Sequence, residues 1–318
     1  MNSFINYLES KNLSKTTQTA YLRNVNLFLE WYKNEPINCT KKDIIKYLEY
    51  LQTQKLQENI TRRNSLIAIN HYFTFLAKNE QIKANPTALI KIRGTQKKQL
   101  YKIYTAEELT QLYDNYYHVF IRNHTQNCFA SRLGGIPANQ REQTLLSRQR
   151  NYVMLGLLVY QGLHTNELQK INMCDIDLQK AKIKITGGKK SNERTLQLNA
   201  SQIGSLINYI ENIRPKFFVF CEERESLFFA LPESSKQKTS NENLMHTLKP
   251  LTKQVKTIDK NLQNFKQIRA SVITQWLKID GLRKAQYYAG HRYISSTEKY
   301  LPNNLDGLID DISKFNPF

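Results

Sequence analysis

The 318 residues are enough for two domains with cores of their own, and 40% hydrophobic content is ordinary for a globular chain. The net charge of +19 is not ordinary, and it is no detachable tail: residues 1–100 carry 16 Lys/Arg against 7 Asp/Glu, and residues 101–318 carry 30 against 20. A polyanion held by both halves fits this spread; an anionic membrane does not, because the basic residues are scattered over several helices instead of ranged along one.

Residues 1–84 read as helices alone. Asn2 to Lys11 is the first, and Ser14 caps a second with the stripe Tyr21, Leu22, Val25, Phe28, Leu29 and Tyr32. Pro36 separates it from a third, where Thr40 and Asp43 form an approximate capping box before Ile44, Ile45, Leu48 and Leu51. A fourth carries Leu66, Ile67, Ile69, Tyr72, Phe73 and Leu76, and four such helices make a small bundle. Lys15, Thr16, Arg23, Arg62, Arg63 and Asn64 are placed on its solvent faces, where basic and small polar residues near helix starts suit phosphates and base edges; a plain solvated face is the alternative. Asn85-Pro86 ends the pattern. Residues 85–103 then read as a basic linker, with Arg93, Lys97 and Lys98 able to follow a DNA backbone.

Residues 104–304 form the second domain. Thr105 to Glu108 is a capping box, continued by Leu109, Leu112, Tyr113 and Tyr116. Residues 123–140 have no period and read as an exposed, mobile loop, followed by a long apolar helix from about Arg141 to Gln161. Ala181 to Ile185 and Arg194 to Leu198 alternate as paired strands joined by a hairpin over Gly187 to Asn192. Helices are expected over 203–213 and 244–256. The aromatic run 217–230 has no clear assignment, and 234–243 reads as a polar surface loop. Cys39, Cys128, Cys174 and Cys221 lie far apart, so neither a disulfide framework nor a metal site is expected. Without a signal sequence or an apolar run of about 18 residues, a soluble, cytoplasmic protein is expected.

The stretch from Phe265 to Leu301 carries the chemistry. Ile268, Val272, Ile273, Trp276 and Leu277 put Arg269 on a buried-side helix. Asp280-Gly281 breaks that helix, a second runs from Leu282 to Ala289, and Gly290-His291 ends it. Ser295 to Thr297 then starts another element before Tyr300. A tyrosine oxygen can attack a phosphodiester if cations and donors hold the pentavalent charge, and arginine suits phosphate through its planar fork. Taken singly, each of the three residues has a bland reading as core arginine, capping histidine and one tyrosine among 18.

Together they resemble the tyrosine recombinase (phage integrase) family, whose signature runs H/K-x-x-R, a G-H box, and a nucleophilic tyrosine nine residues on. Lys266-Gln267-Ile268-Arg269, Gly290-His291 and Tyr300 match it in order and spacing. The segment Gly162-Leu163-His164-Thr165-Asn166-Glu167-Leu168 resembles the family's first box, with His164 where the family has arginine. The resemblance implies a mainly α fold with a small antiparallel β-sheet (α+β), an N-terminal four-helix core-binding bundle over residues 1–84, and a catalytic domain over 104–304. It implies that Tyr300 forms a 3′-phosphotyrosine and that Lys189, with Lys190 the rival, protonates the leaving 5′-oxygen. Arg269 and His291 would hold the phosphate, Lys266 would assist, and His164 would replace the missing arginine. No metal or cofactor is implied. The partners would be double-stranded DNA at specific sites, further copies of the chain as dimer to tetramer, and accessory DNA-bending proteins, in a nucleoid-associated setting. Residues 305–318 would form a tail helix, docked on a neighbouring protomer or on its own domain. A phosphate and Glu167 should both raise the His164 pKa. The leading expectation is an integrase or transposon recombinase. A DNA-binding relative without cleavage and a relaxing topoisomerase are the alternatives.

Overall fold

Four helices build the first unit, residues 1–99. The computed structural model describes residues 2–94, 102–123, 138–188, 191–219, 224–231 and 244–301. Helix α1 (Asn2–Ser10) buries Phe4 and Leu8, one turn apart. Helix α2 (Lys15–Tyr32) starts where Ser14 Oγ accepts from Thr17 N, and it buries Val25 and Phe28. At α3 (Lys41–Thr53) the capping box is complete: Thr40 N donates to Asp43 Oδ2 at 3.0 Å, and Asp43 N donates to Thr40 Oγ1 at 3.4 Å. Helix α4 (Asn59–Lys78) presents Leu66, Ile69 and Phe73 to the same core, where Phe28 meets Tyr47 and Phe73 edge-on at ring distances of 5.1 and 5.9 Å.

Arg62 is not on the solvent face: it is buried, with Nε donating to Leu48 O and Nη1 to Asn59 Oδ1, both at 3.0 Å. Its stem follows the helix inward and the two acceptors satisfy its head, so it ties α4 to the end of α3. Nor do residues 85–92 hang free as a linker. Thr87 is buried, Asn85 Nδ2 donates to Asn70 Oδ1 at 2.8 Å, and Ile90 and Ile92 pack on the bundle, an apolar alternation masked by the lysine and arginine between and after them.

In the second unit, residues 100–318, α5 (Ala106–Tyr116) begins at the Thr105–Glu108 capping box. Helix α6 (Ala138–Gln161) is the central element: Val153, Met154, Leu155, Leu157, Leu158 and Val159 are all buried, so its C-terminal half is covered on every side. It begins earlier than its periodicity suggests, and most of the loop expected before it, 124–137, lies outside the described residues. After α7 (Thr165–Leu168) come β1 (Ile176–Asp177), β2 (Lys182–Ile185) and β3 (Arg194–Gln197), an antiparallel sheet in the order β1-β2-β3. The register pairs Ile183 with Leu196 and Ile185 with Arg194, so Arg194 occupies a core-facing position beside two isoleucines and a leucine.

Helix α8 (Ala200–Asn208) runs into a π-helical turn at Tyr209–Ile213. The aromatic run beyond it is core: Leu227, Phe228 and Phe229 are buried, and Arg150 Nη1 holds Phe229 O at 2.7 Å. Helix α9 (Leu244–Ile258) follows; the polar segment expected at 234–243 lies outside the described residues. Helix α10 (Phe265–Ala289) is interrupted at Gly281 (φ 78°), as the Asp-Gly step requires, and ends at Gly290 in the left-handed region (φ 67°). Helix α11 (Ser295–Glu298) leads to Tyr300. The tail, 305–318, also lies outside the described residues.

Candidate active site

The turn after α6 sets the first wall. Gly162 has φ 53°, and a Cβ there would lie 2.9 Å from Val272 Cγ1, so only glycine lets the chain pass α10 at this distance. The chain then reaches His164 at the N-cap of α7. His164 Nδ1 accepts from Asn166 N at 3.1 Å, and His164 N donates to Glu167 Oε2 at 2.7 Å. A ring nitrogen that accepts an N–H is unprotonated, which leaves Nε2 as the protonated position of a neutral imidazole.

Glu167 is the hub behind that wall. Arg194 Nη1 and Nη2 donate to its two carboxylate oxygens at 2.8 and 2.9 Å, while Arg194 Nε donates to Tyr288 O at 2.7 Å. Arg269 Nη1 lies 3.7 Å from Glu167 Oε2; its own bonds go to Gly162 O (2.5 Å, Nη1) and Ala289 O (2.7 Å, Nη2). One guanidinium thus joins the first-box turn to the end of α10. Gly290 is required twice over, for its positive φ and because a Cβ would sit 2.5 Å from Arg194 Nη1.

The second wall hangs from Gly290. Asn192 N donates to Gly290 O at 2.9 Å and Ser191 bridges to His291, so the β2–β3 hairpin is pinned beside the histidine. His291 Nδ1 contacts Thr297 Oγ1 at 2.9 Å, and its ring lies parallel to that of Tyr300, 12° apart with centroids at 5.9 Å. Arg269 and Tyr300 also interact side chain to side chain. The result is a cleft of about 470 Å³ whose lining includes His164, Lys170, Thr186, Arg269, His291 and Tyr300.

Its electrostatics favour an anion. Burial pushes the His291 pKa down to about 4, with Arg269 and Arg194 adding to the fall. Burial of Glu167 alone would raise its pKa, but the hydrogen bonds and charge of Arg194, joined by Arg269, hold it below the carboxylate norm. His164 is lowered as well, by burial and by Arg269, with Glu167 too weak an opposing influence. The rise expected from Glu167 is therefore corrected: in the DNA-free chain burial and the Arg269 guanidinium together outweigh the carboxylate. Both histidines are neutral at pH 7, and each can offer a donor without a buried charge of its own.

His164, Arg269, His291 and Tyr300, drawn from separate elements of the sequence, line the one cleft. Lys266 does not line it; it is exposed in the first turn of α10, near enough for its charge to lower the His164 pKa. Lys189 and Lys190 lie outside the described residues, between Gly188 and Ser191, which both line the cleft. In the first unit Lys15, Thr16, Arg23, Arg63, Asn64 and Arg93 are exposed, while Lys97 and Lys98 lie outside the described residues. Sequence reading missed Lys170, Thr297 and the role of Arg194. Only Arg194 left a signal, a charge in the inward register of an alternating strand. Among the described residues no cluster of three His, Cys, Asp or Glu could hold a metal ion, and no helix is long and apolar enough to cross a membrane.

Residues 136–305 match the model of the phage integrase family, and residues 1–83 match that of the phage integrase N-terminal SAM-like domain. The chain belongs to the phage integrase family and is a tyrosine-type site-specific recombinase. It is 24% identical to tyrosine recombinase XerC of Natranaerobius thermophilus over 99% of both chains, and 24% identical to that of Bacillus pumilus over 96% of this chain and 92% of that one. Among solved structures, the XerH site-specific recombinase bound to palindromic difH substrate in a post-cleavage complex shares the fold with a TM-score of 0.66 and 17% identity, covering 95% of this chain and 81% of that one. A lambda integrase (residues 75–356) dimer bound to a COC′ core site has a TM-score of 0.61 and 14% identity, covering 95% of this chain and 94% of that one.

Proposed function

We propose that this recombinase cuts and rejoins double-stranded DNA through a 3′-phosphotyrosine at Tyr300. The observation that carries the reading is the convergence of Tyr300, Arg269 and His291 on one cationic cleft. Tyr300 Oη bonds to the scissile phosphorus as the bond to the 5′-oxygen breaks, and that oxygen takes its proton from Lys189 or Lys190 on the hairpin. Arg269 and the Nε2–H of His164 hold the non-bridging oxygens. His291, neutral and oriented by Thr297, donates to the phosphate or takes the phenol proton. Lys266 adds positive charge from outside. The phosphotyrosine ester conserves the bond, so a free 5′-hydroxyl can attack it and rejoin.

In this reading the first unit grips the DNA through Lys15, Thr16, Arg23, Arg63, Asn64 and Arg93, with Lys97 and Lys98 following the backbone. Lambda integrase is known as a DNA-bound dimer and as a tetramer on a Holliday junction. By analogy this chain works on DNA as a dimer to tetramer, its residues 305–318 docking between protomers, with accessory DNA-bending proteins on the nucleoid. Incubation with nicked suicide DNA carrying candidate sites tests the chemistry. Wild type should leave a covalent protein–DNA band, and Tyr300→Phe should abolish it with DNA affinity nearly unchanged. A band that persists in Y300F would move the nucleophile elsewhere, with exposed Tyr293 next in line.

A further inference from the structure

We infer that Arg194 is a positioning residue of the cleavage reaction: by neutralising Glu167 it leaves the charge of Arg269 available to the phosphate. The inference rests on the phosphoryl-transfer reading above.

Glu167 is nearly buried and ionised, and two guanidiniums compete for it. Arg194 wins on geometry: it makes both charged hydrogen bonds in fork-to-fork alignment, whereas Arg269 stands off at 3.7 Å and spends Nη1 and Nη2 on backbone carbonyls. Arg194 is fully buried and does not line the cleft, so it cannot grip the phosphate itself. Its influence passes through the carboxylate. With Arg194 in place, one negative and two positive charges leave a net positive charge facing the cleft. Without it, Glu167 becomes the counterion of Arg269, whose Nη1 already lies 3.7 Å from Oε2, and the guanidinium charge is spent on the carboxylate instead of the cleft. The same carboxylate accepts from His164 N, so Arg194 also fixes the backbone that aims the His164 ring. A core strand position has every reason to be apolar, as Ile183, Ile185 and Leu196 are on the same face. A cation there is costly unless fully paired, and it is fully paired.

A charge role and a shape role make opposite predictions for removing both partners. Covalent complex formation on suicide DNA is measured for wild type, Glu167→Gln, Arg194→Gln, the double variant and Arg194→Lys, each first checked for a cooperative melt and for DNA affinity. R194Q should cleave about 10²-fold more slowly than wild type, the scale of one lost transition-state donor. E167Q/R194Q should recover to within about tenfold of E167Q, because no stray carboxylate is left to capture Arg269. R194K, which keeps the charge and loses the fork, should stay within about tenfold of wild type. A double variant as slow as R194Q, or R194K falling with R194Q, would overturn the inference in favour of a packing role. If R194Q does not fold, R194K against wild type still decides. Wild type failing to form any covalent complex would instead overturn the underlying reading.

Discussion

Replacing His164 separates two jobs that the structure gives to one side chain. Its Nδ1 accepts from Asn166 N at 3.1 Å, a cap whose loss costs about 1 kcal/mol, or roughly 2–4 °C in melting temperature for a domain of this size. Its Nε2–H is offered to the cleft, where losing one transition-state donor slows reaction by about 10²–10³. His164→Ala loses both. His164→Asn keeps a side-chain acceptor at the N-cap but is too short to bring a donor to the phosphate, so it should melt near wild type and still cleave slowly. His164→Arg reverses this pattern: it has no acceptor for Asn166 N, yet it supplies two donors and a permanent charge, so it should melt slightly lower and cleave as fast as wild type or faster. Differential scanning fluorimetry and the rate of covalent complex formation on suicide DNA read the two effects independently. NMR titration of the DNA-free protein should place the His164 pKa below the ordinary 6.5. If H164A loses stability but cleaves within threefold of wild type, His164 is only a cap, and the neutral-donor assignment is wrong.

Acid should destabilise the second unit through His291: its folded pKa near 4 lies below the unfolded value near 6.5, so its stabilising contribution is full above about 6.5 and is lost as pH falls through 4. Melting temperature should therefore drop between pH 7 and pH 4.5, and His291→Gln should flatten that drop; an unchanged slope would remove His291 as its source. Gly290→Ala should cost about 1–3 kcal/mol from backbone strain and displace Arg194, measured as a lower melting temperature with slower cleavage. Arg62→Ala should destabilise the first unit by about 1–3 kcal/mol and leave the salt dependence of DNA binding unchanged, whereas Arg63→Ala should lower the log–log salt slope by about 1 with no effect on stability. The reverse outcome would return Arg62 to the DNA face.

What the sequence made legible was local. Thr40 with Asp43, Thr105 with Glu108, the break at Gly281 and the Gly290 terminus are decided within four residues, and each stands where its spacing puts it. Arg269, His291 and Tyr300 were legible for the same reason, being carried on consecutive short elements with fixed offsets. Arg62 was not, because periodicity assigns a face to a Cα and says nothing about where a long stem carries its head. Its acceptor, Leu48 O, is fourteen residues away on another helix. Ile90 and Ile92 failed similarly, since charged neighbours hide an apolar alternation of two residues until a bundle lies beneath them.

His164 shows the same limit in its charge. Counting neighbours along the chain puts Glu167 beside it and raises its pKa; in space, Arg194 has taken both oxygens of that carboxylate from 27 residues away. The sign of the shift is set by burial first and by Arg269 second, and spacing along the chain shows neither. The exchange of arginine for histidine at position 164 looks, in sequence, like a loss of positive charge at the site. In space the balance is different, because Arg194, which does not line the cleft, pairs with Glu167, which does, and the charge of Arg269 is left to meet phosphate.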